Sequence, residues 1–485
     1  MTKVRTRFAP SPTGYMHIGN LRTALYEFLV AKKDPEGVFI LRIEDTDQGR
    51  LIEGATDIIY NTLAQCKLFH DEGPDVGGNY GSYVQSERMK SGIYKEYAEK
   101  LIELGGAHYC FCQEEDIQAQ RELAEARGES FIFHDPCKSL TIEKAKTRIS
   151  NGESYVVRQN IPTEGTTSFD DEVYGTITVE NSTLDEAILL KSDGYPTYNF
   201  ANIIDDHMME ITHVIRGNEY LSSTPKYNLV YKSFNWNIPT YVHCPPVMKD
   251  EHHKLSKRNG DASFQDLVSK GYLPEAIINY IALLGWAPET EQEIFTLDEL
   301  KQAFNVKRIG TSGAIFDIDK LTWMNGVYLR NMDIDTYYDT VKNYISEGVK
   351  GNYCHKEIAK ILQQRVNTLS EIVEMVDFFD TYNVFDRELY TNKKMKSNPE
   401  VALSSLKAAK ELLETLTNWE ETTIHDEMMA LVEKLGIKNG QLLYPVRVAI
   451  TGKQFTPGGA IEISYILGKE ETLRRLELAI QDLDK

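Results

Sequence analysis

Arg7-Phe8-Ala9-Pro10-Ser11-Pro12-Thr13-Gly14-Tyr15-Met16-His17-Ile18-Gly19-Asn20 is the stretch around which the rest of the chain is organised. Before it, Val4, Thr6 and Phe8 alternate with Lys3, Arg5 and Arg7, which predicts a short strand with its charged residues on the other face. Two prolines and a glycine then forbid regular structure for several residues. Beyond them, Ile18, Leu21, Ala24, Leu25, Phe28 and Leu29 recur at helical spacing, so a buried helix begins at about His17. Strand, rigid turn and helix N-terminus in succession leave unpaired N–H groups at the positive end of a helix dipole, a natural place for phosphate. Taken alone, the pattern also fits an ordinary α/β turn with a satisfied histidine.

A second stretch decides between these readings. Far downstream lies Lys254-Leu255-Ser256-Lys257-Arg258-Asn259-Gly260. Together the two resemble the HIGH and KMSKS motifs of class I aminoacyl-tRNA synthetases. The wording Arg-Phe-Ala-Pro-Ser-Pro-Thr-Gly with Lys-Leu-Ser-Lys-Arg is similar to the glutamyl-tRNA synthetase branch, bacterial type. The resemblance implies an α/β Rossmann-type catalytic domain with an α+β acceptor-binding insertion, followed by connecting and all-α anticodon-binding domains. It implies ATP, with Mg2+, at Pro10, Ser11, Gly14, His17, Gly19, Asn20, Ser256 and Lys257, and catalytic roles for His17, Lys257 and Lys254. Where the family motif has a second histidine this chain has Asn20, a position that varies in the branch.

At 485 residues the chain has room for about three domains. A hydrophobic content of 41% with 26% charged residues is that of an ordinary globular protein. No apolar run follows the first charges and none reaches membrane-spanning length, which predicts a cytoplasmic protein. Six cysteines in so long a chain argue for reduced thiols or a metal site, not a disulfide framework. The net charge of −20 argues against a polyanionic partner. The motifs argue for one, which requires Lys and Arg gathered locally on one face.

After the first helix, Val38-Phe39-Ile40-Leu41-Arg42-Ile43 reads as a strand buried in a parallel sheet. It ends in Glu44-Asp45-Thr46-Asp47, at the sheet edge where α/β folds bind ligands. Those carboxylates suit a divalent metal or a solvated capping cluster; the family match implies that Glu44 receives a substrate α-ammonium. Helices are expected over about 50–66 and 88–104. Cys110, Cys112 and Cys137 have spacings that suit tetrahedral zinc, which wants a fourth ligand; His134, Asp135 and Ser139 lie nearest, with His134 or Asp135 expected. Three free thiols is the alternative.

Residues 154–158 and 175–179 read as strands of an insertion, which is either a β-rich lobe or, by resemblance, the grip on the tRNA acceptor end. From Ala187 the chain is expected to re-enter the main sheet, followed by a helix from Tyr198 and a strand through Arg216. Arg7, Ser11, Glu44, Tyr198, Asn202, Arg216 and Glu219 match the family's glutamate pocket. The chemistry agrees: selecting glutamate over glutamine requires guanidinium groups that bind a carboxylate through paired hydrogen bonds, and Arg7 and Arg216 supply them. Helices are expected over 264–268 and 274–286, and residues beyond 330 read as amphipathic helices with a basic loop at 391–399. The expected division is a catalytic domain over 1–100 and 187–260, an insertion over 101–186, a connecting domain over 261–330 and a helical region over 331–485.

The resemblance implies two-step glutamylation of tRNA(Glu) from ATP and L-glutamate, by a monomer. Three rivals share the fold. Glutaminyl-tRNA synthetase differs at Pro-Ser-Pro-Thr-Gly and Glu-Asp-Thr-Asp. A short relative that glutamylates a modified tRNA base lacks the 155 residues that here follow position 330. A catalytically dead tRNA-binding homologue would be expected to lose His17 or Lys257, and both are present.

Overall fold

The computed structural model describes residues 3–128, 131–133, 135–255, 263–382 and 386–485. β1 (Arg5–Phe8), α1 (Ile18–Lys33) and β2 (Val38–Leu41) open the chain, and β1 and β2 pair in parallel with Arg5 opposite Val38 and Phe8 opposite Leu41. The alternating arginines of β1 do not face solvent as the pattern suggests, because all four residues of the strand are buried. Arg5 pairs with both oxygens of Glu72 at 2.9 and 3.0 Å, and Arg7 is held by Asp206 and Glu27, so their charges are matched inside the fold.

Three expected helices are shorter than the apolar periodicity suggests. The first, α2 (Ala55–Gln65), starts behind Gly54, five residues later than expected. The 88–104 helix is two: α3 (Gln85–Lys90) and α4 (Ile93–Glu103), separated by Gly92 at φ 83°. A residue in left-handed conformation cannot continue a right-handed helix.

β3 (Ala107–Cys110) is followed by α5 (Glu114–Ala126), α6 (Ile142–Ser150) and β4 (Val156–Gln159). The hairpin β5 (Thr166–Asp171) and β6 (Gly175–Glu180) comes next, then β7 (Ile188–Leu190). β7 does not rejoin the parallel sheet. It pairs antiparallel with β4, which pairs antiparallel with β3. A three-residue apolar strand carries no information about its partner's direction, so the sequence could not reveal this. The β5–β6 hairpin instead joins the later strand at Thr240–Cys244 through Asp171 opposite Tyr241.

α7 (Tyr198–Met208), β8 (His213–Gly217), α8 (Thr224–Ser233) and β9 (Thr240–Cys244) complete the second half, with β8 and β9 parallel. The Thr212 N–H donates to the Arg5 carbonyl at 3.0 Å, bringing the start of β8 beside β1. The four strands β6, β5, β9 and β8 form one mixed sheet over a core that includes Val38, Ile40, Phe169, Val214 and Tyr241. α9 (Phe264–Ser269), α10 (Pro274–Ala282) and α11 (Leu297–Ala303) follow; α10 ends four residues before the expected Trp286, which pairs instead with Ile309.

The chain divides into two compact units, residues 1–266 with 277–317, and residues 267–276 with 318–485. The second contains α12 (Ile318–Asn331), α13 (Ile334–Gly348), α14 (His355–Gln363), α15 (Ile372–Val376), α16 (Pro399–Thr415), α17 (Glu421–Leu435), α18 (Asn439–Thr451), α19 (Ala460–Leu467) and α20 (Lys469–Leu483). Its apolar core runs through Tyr337, Ile358, Ile372, Leu406, Ile450 and Leu476. Inside it the fully buried Arg475 donates to the carbonyls of Phe378, Phe379 and Ile450 at 2.7 to 2.8 Å and to Glu471, closing helix ends that have no intrahelical partner. No helix among the described residues is long and apolar enough to cross a membrane.

Candidate active site

The Pro-Ser-Pro-Thr turn is tied down by its own backbone. Glu44 N donates to Pro10 O at 3.1 Å and Ile52 N to Pro12 O at 3.2 Å, so the turn runs beside the acidic string that follows β2. Gly14 sits at φ 110°, which side chains rarely tolerate. His17 is the N-cap of α1, and its Nδ1 accepts from the Gly19 N–H at 3.0 Å. With Nδ1 accepting, a neutral imidazole carries its proton on Nε2, which makes His17 a donor at the helix N-terminus. Ser263 pairs with His17, so the chain emerging from the lysine-rich stretch lies against the first motif. On the near side of that stretch Lys254 is exposed and its backbone pairs with Met248; Ser256 and Lys257 lie outside the described residues.

A cavity of about 490 Å³ opens beside this turn, within the size range of small-molecule sites. Its wall holds Arg7, Glu44, Tyr198, Arg216 and Glu219 from the expected glutamate set, and Pro10, Ser11 and Asn20 from the expected nucleotide set. Gly14, His17, Gly19 and Asn202 are off this wall; Asn202 is buried on α7 one turn beyond Tyr198.

The charges around it are paired in depth. Asp206 receives Arg7 through Nε at 2.9 Å and Nη2 at 3.2 Å, and Arg42 Nη1 at 2.8 Å. Arg42 in turn donates to Glu44 Oε1 at 2.9 Å, leaving Glu44 Oε2 with no hydrogen-bond partner among the described residues. Burial opposes ionisation of Asp206, but Arg7 and Arg42 outweigh it and hold the carboxyl below its ordinary range. Burial raises Glu44 despite the same two arginines, and pushes Glu27 well above its ordinary value. Burial, followed by the Glu44 charge, also pushes the Tyr198 phenol well up, so it keeps its proton and has a hydrogen to donate. Arg216 is held differently: its Nε donates to His243 Nε2 at 3.1 Å and its Nη2 to Thr224 Oγ1 at 2.8 Å.

The sequence reading missed Glu27, Arg42, Asp206 and His243. Arg42 had a signal: a charged residue inside a continuous apolar strand demands a buried partner. Asp206 had a weaker one, as a carboxylate among apolar helix positions. Nothing local marks Glu27 or His243. The acidic string does not converge into a metal site. Asp45 accepts from Ser86 N and Oγ at 2.8 and 2.6 Å, and among the described residues the one group able to hold an ion is elsewhere.

That group is Cys110, Cys112, Asp135 and Cys137, whose ligand atoms all lie within 4.8 Å of one another. His134 lies outside the described residues. Cys112 and Cys137 sulfurs are 3.8 Å apart, matching the edge of about 3.8 Å that a tetrahedron with Zn–S bonds of about 2.3 Å requires. Burial pushes the Cys110 thiol up to about 11, and a cation at the centre would favour its thiolate. His108 Nε2 stands 3.0 Å from Asp135 Oδ2, the kind of outer partner that orients a ligand, while Oδ1 meets Cys112 Sγ at 3.4 Å.

A strand–turn–helix with a histidine at the helix N-terminus, a charged cavity beside it and an all-helical unit are the parts of a class I aminoacyl-tRNA synthetase, and the family models agree. The family model described as "tRNA synthetases class I (E and Q), catalytic domain" matches residues 3–323, and the anticodon binding domain model matches residues 334–480. The glutamate–tRNA ligase of Clostridium botulinum is 56% identical over 481 residues, covering 99% of both chains, and that of Clostridium acetobutylicum is 54% identical over 485 residues, 100% of this chain and 99% of its own. A crystal structure of a glutamate tRNA ligase from Elizabethkingia meningosepticum in complex with its amino acid superposes with a TM-score of 0.89 at 34% identity, covering 99% of this chain and all of the other. The chain belongs to the glutamate–tRNA ligase family.

Proposed function

We propose that this protein attaches L-glutamate to tRNA(Glu) in two steps, forming glutamyl-adenylate from ATP and then passing the acyl group to the 3′-terminal adenosine. The observation that carries the reading is the cavity in which two arginines, a half-buried phenol and a half-free carboxylate line one wall beside the α1 N-terminus. In this scheme Arg7 and Arg216 bind the side-chain carboxylate, with Tyr198 as donor, and Glu44 Oε2 receives the α-ammonium. Attack of the α-carboxylate oxygen on the α-phosphorus expels pyrophosphate, and negative charge gathers on the phosphate oxygens. The His17 Nε2–H and the helix N-terminus stabilise it on one side, while Lys257, assisted by Lys254, does so on the other. Magnesium travels with ATP, held mainly by its phosphates and water.

Cys110, Cys112, Cys137 and Asp135 hold a structural zinc ion, which ties the turn at 135–139 to the end of β3. The insertion grips the acceptor end and the helical region reads the anticodon. The enzyme works in the cytoplasm as a monomer, as its resemblance to the family implies.

Aminoacylation with labelled glutamate, using purified tRNA(Glu) and tRNA(Gln) in separate reactions, tests the reading. Charging of tRNA(Glu) is expected; charging of neither would leave an RNA-binding homologue. Lys257→Ala should lower the rate of adenylate formation by about a hundredfold with the fold intact, the scale of losing one donor to developing charge. Pyrophosphate release in the presence of tRNA measures it.

A further inference from the structure

Arg7 and Arg216 line the same cavity but are held by opposite kinds of partner. Arg7 is bound by two carboxylates, Asp206 and Glu27. Arg216 makes no ion pair among the described residues. Its hydrogen bonds go to a histidine and a threonine, and its guanidinium lies over the rings of Tyr227 at 4.8 Å, Tyr220 at 5.1 Å and Tyr241 at 5.5 Å. Thr224 Oγ1 spends its own hydrogen on the Tyr220 carbonyl at 2.9 Å, so it can only accept from Arg216. One edge of the guanidinium is thereby fixed, and Nη1 has no hydrogen-bond partner among the described residues.

His243 sets that edge. A guanidinium only donates, so His243 Nε2 must carry a lone pair. On the other side of the ring, Nδ1 lies 2.7 Å from Asp171 Oδ2, a carboxylate that only accepts, so the imidazole proton sits on Nδ1. Asp171 is itself immobilised: Oδ1 accepts from the N–H groups of Val173 and Tyr174 at 2.9 Å, and Oδ2 also accepts from His243 N at 3.1 Å. Both side chains are fully buried. The charged groups facing the ring are Asp171 on β5, Arg216 on β8 and Glu219 in the turn after β8, and burial, the largest influence, keeps the imidazole below its ordinary value and neutral.

We propose that His243, locked by Asp171 in the neutral Nδ1–H form, is a positioning residue that aims Arg216 at the substrate's side-chain carboxylate without consuming its charge, and so sharpens the preference for glutamate. This rests on the assignment of Arg216 to the glutamate pocket. A carboxylate in the place of His243 would pair with Arg216 and leave less charge for the substrate; an imidazolium would repel it and offer no acceptor. A neutral acceptor fixes the geometry and leaves the positive charge for the ligand. The same device penalises glutamine, whose amide cannot match that charge.

The test is aminoacylation kinetics of the full chain with tRNA(Glu), varying glutamate and ATP separately. His243→Asn keeps a polar group near Asp171 but removes the acceptor for Arg216, and should raise the KM for glutamate about tenfold or more, the scale of one hydrogen bond to a charged group. Its kcat and its KM for ATP should stay near wild type. His243→Gln places an amide oxygen where Nε2 lies and should bring the glutamate KM back to within about threefold of wild type. Asp171→Asn, whose amide donates to Nδ1 and drives the proton to Nε2 against Arg216, should raise the glutamate KM as His243→Asn does. Should one variant fail to fold, the others carry the comparison.

Arg216→Ala is the control. If it raises the glutamate KM while His243→Asn and Asp171→Asn leave it unchanged, His243 is only core and the positioning role is overturned. If Arg216→Ala itself leaves the glutamate KM unchanged, the assignment of Arg216 to the pocket falls and the positioning role falls with it.

Discussion

Asp206 is the residue on which the buried charges of the catalytic unit depend, since it holds both Arg7 and Arg42 and, through Arg42, Glu44. Removing one partner of such a group leaves the others charged and buried, which costs about 3–5 kcal/mol. Asp206→Ala should therefore lose about that much stability in a urea titration of the full chain. The pH dependence has a definite sign. The native carboxyl ionises more readily than the unfolded one, so its contribution is complete above the unfolded value of about pH 4 and declines as pH falls through the lower native value. Asp206→Asn should accordingly flatten the fall of Tm below about pH 4, read by scanning calorimetry.

At the scale of elements, the break between α3 and α4 tests whether the sequence pattern or the backbone decides a boundary. Gly92 has φ 83° and open space around its missing side chain, so a methyl group would meet no atom, only the strain of the left-handed conformation. Gly92→Ala should cost about 1 kcal/mol in denaturant unfolding and leave glutamylation unchanged. The end of β3 offers a second test, because Cys110 and Cys112 there face Asp135 and Cys137 from the turn beyond α5. Metal analysis of the purified protein should find about one zinc per chain, and Cys112→Ser should lose the metal and lower Tm while glutamate binding in the separate cavity persists. Several element boundaries were not legible in the sequence for a shared reason. Apolar periodicity reports which face is buried; it does not report where a glycine turns the chain or which strand β7 will meet.

For the whole molecule, the relevant contrast is a net charge of −20 on a chain that must bind a polyanion. Contacts to RNA phosphates release counterions, whereas the proposed glutamate site holds its ligand by short-range contacts to a few fixed side chains, Arg7 and Glu44 among them. Raising salt from about 50 to 200 mM should increase the KM for tRNA at least tenfold and move the KM for glutamate far less. Equal salt sensitivity of the two would mean that tRNA binding does not rest on a local basic surface.

The sequence alone determined the strand–turn–helix at the N-terminus and the order of α/β and all-helical regions, and it named eight of the 22 residues on the cavity wall. The elements follow from local rules, proline and glycine punctuation with helical and strand periodicity; the wall residues came from resemblance to the family's motifs, with which a guanidinium's match to a carboxylate agrees. Only the tertiary structure decided how those residues are held. Asp206 and His243 lie 199 and 27 residues from the arginines they fix, and Asp171 reaches His243 from a hairpin whose attachment to β9 no local pattern announces. The pocket side chains are written in short motifs, as suits residues that in the proposed scheme meet the ligand directly. Their supports are set by which buried donors and acceptors end up adjacent, and that is fixed only when the strands pair and water is excluded.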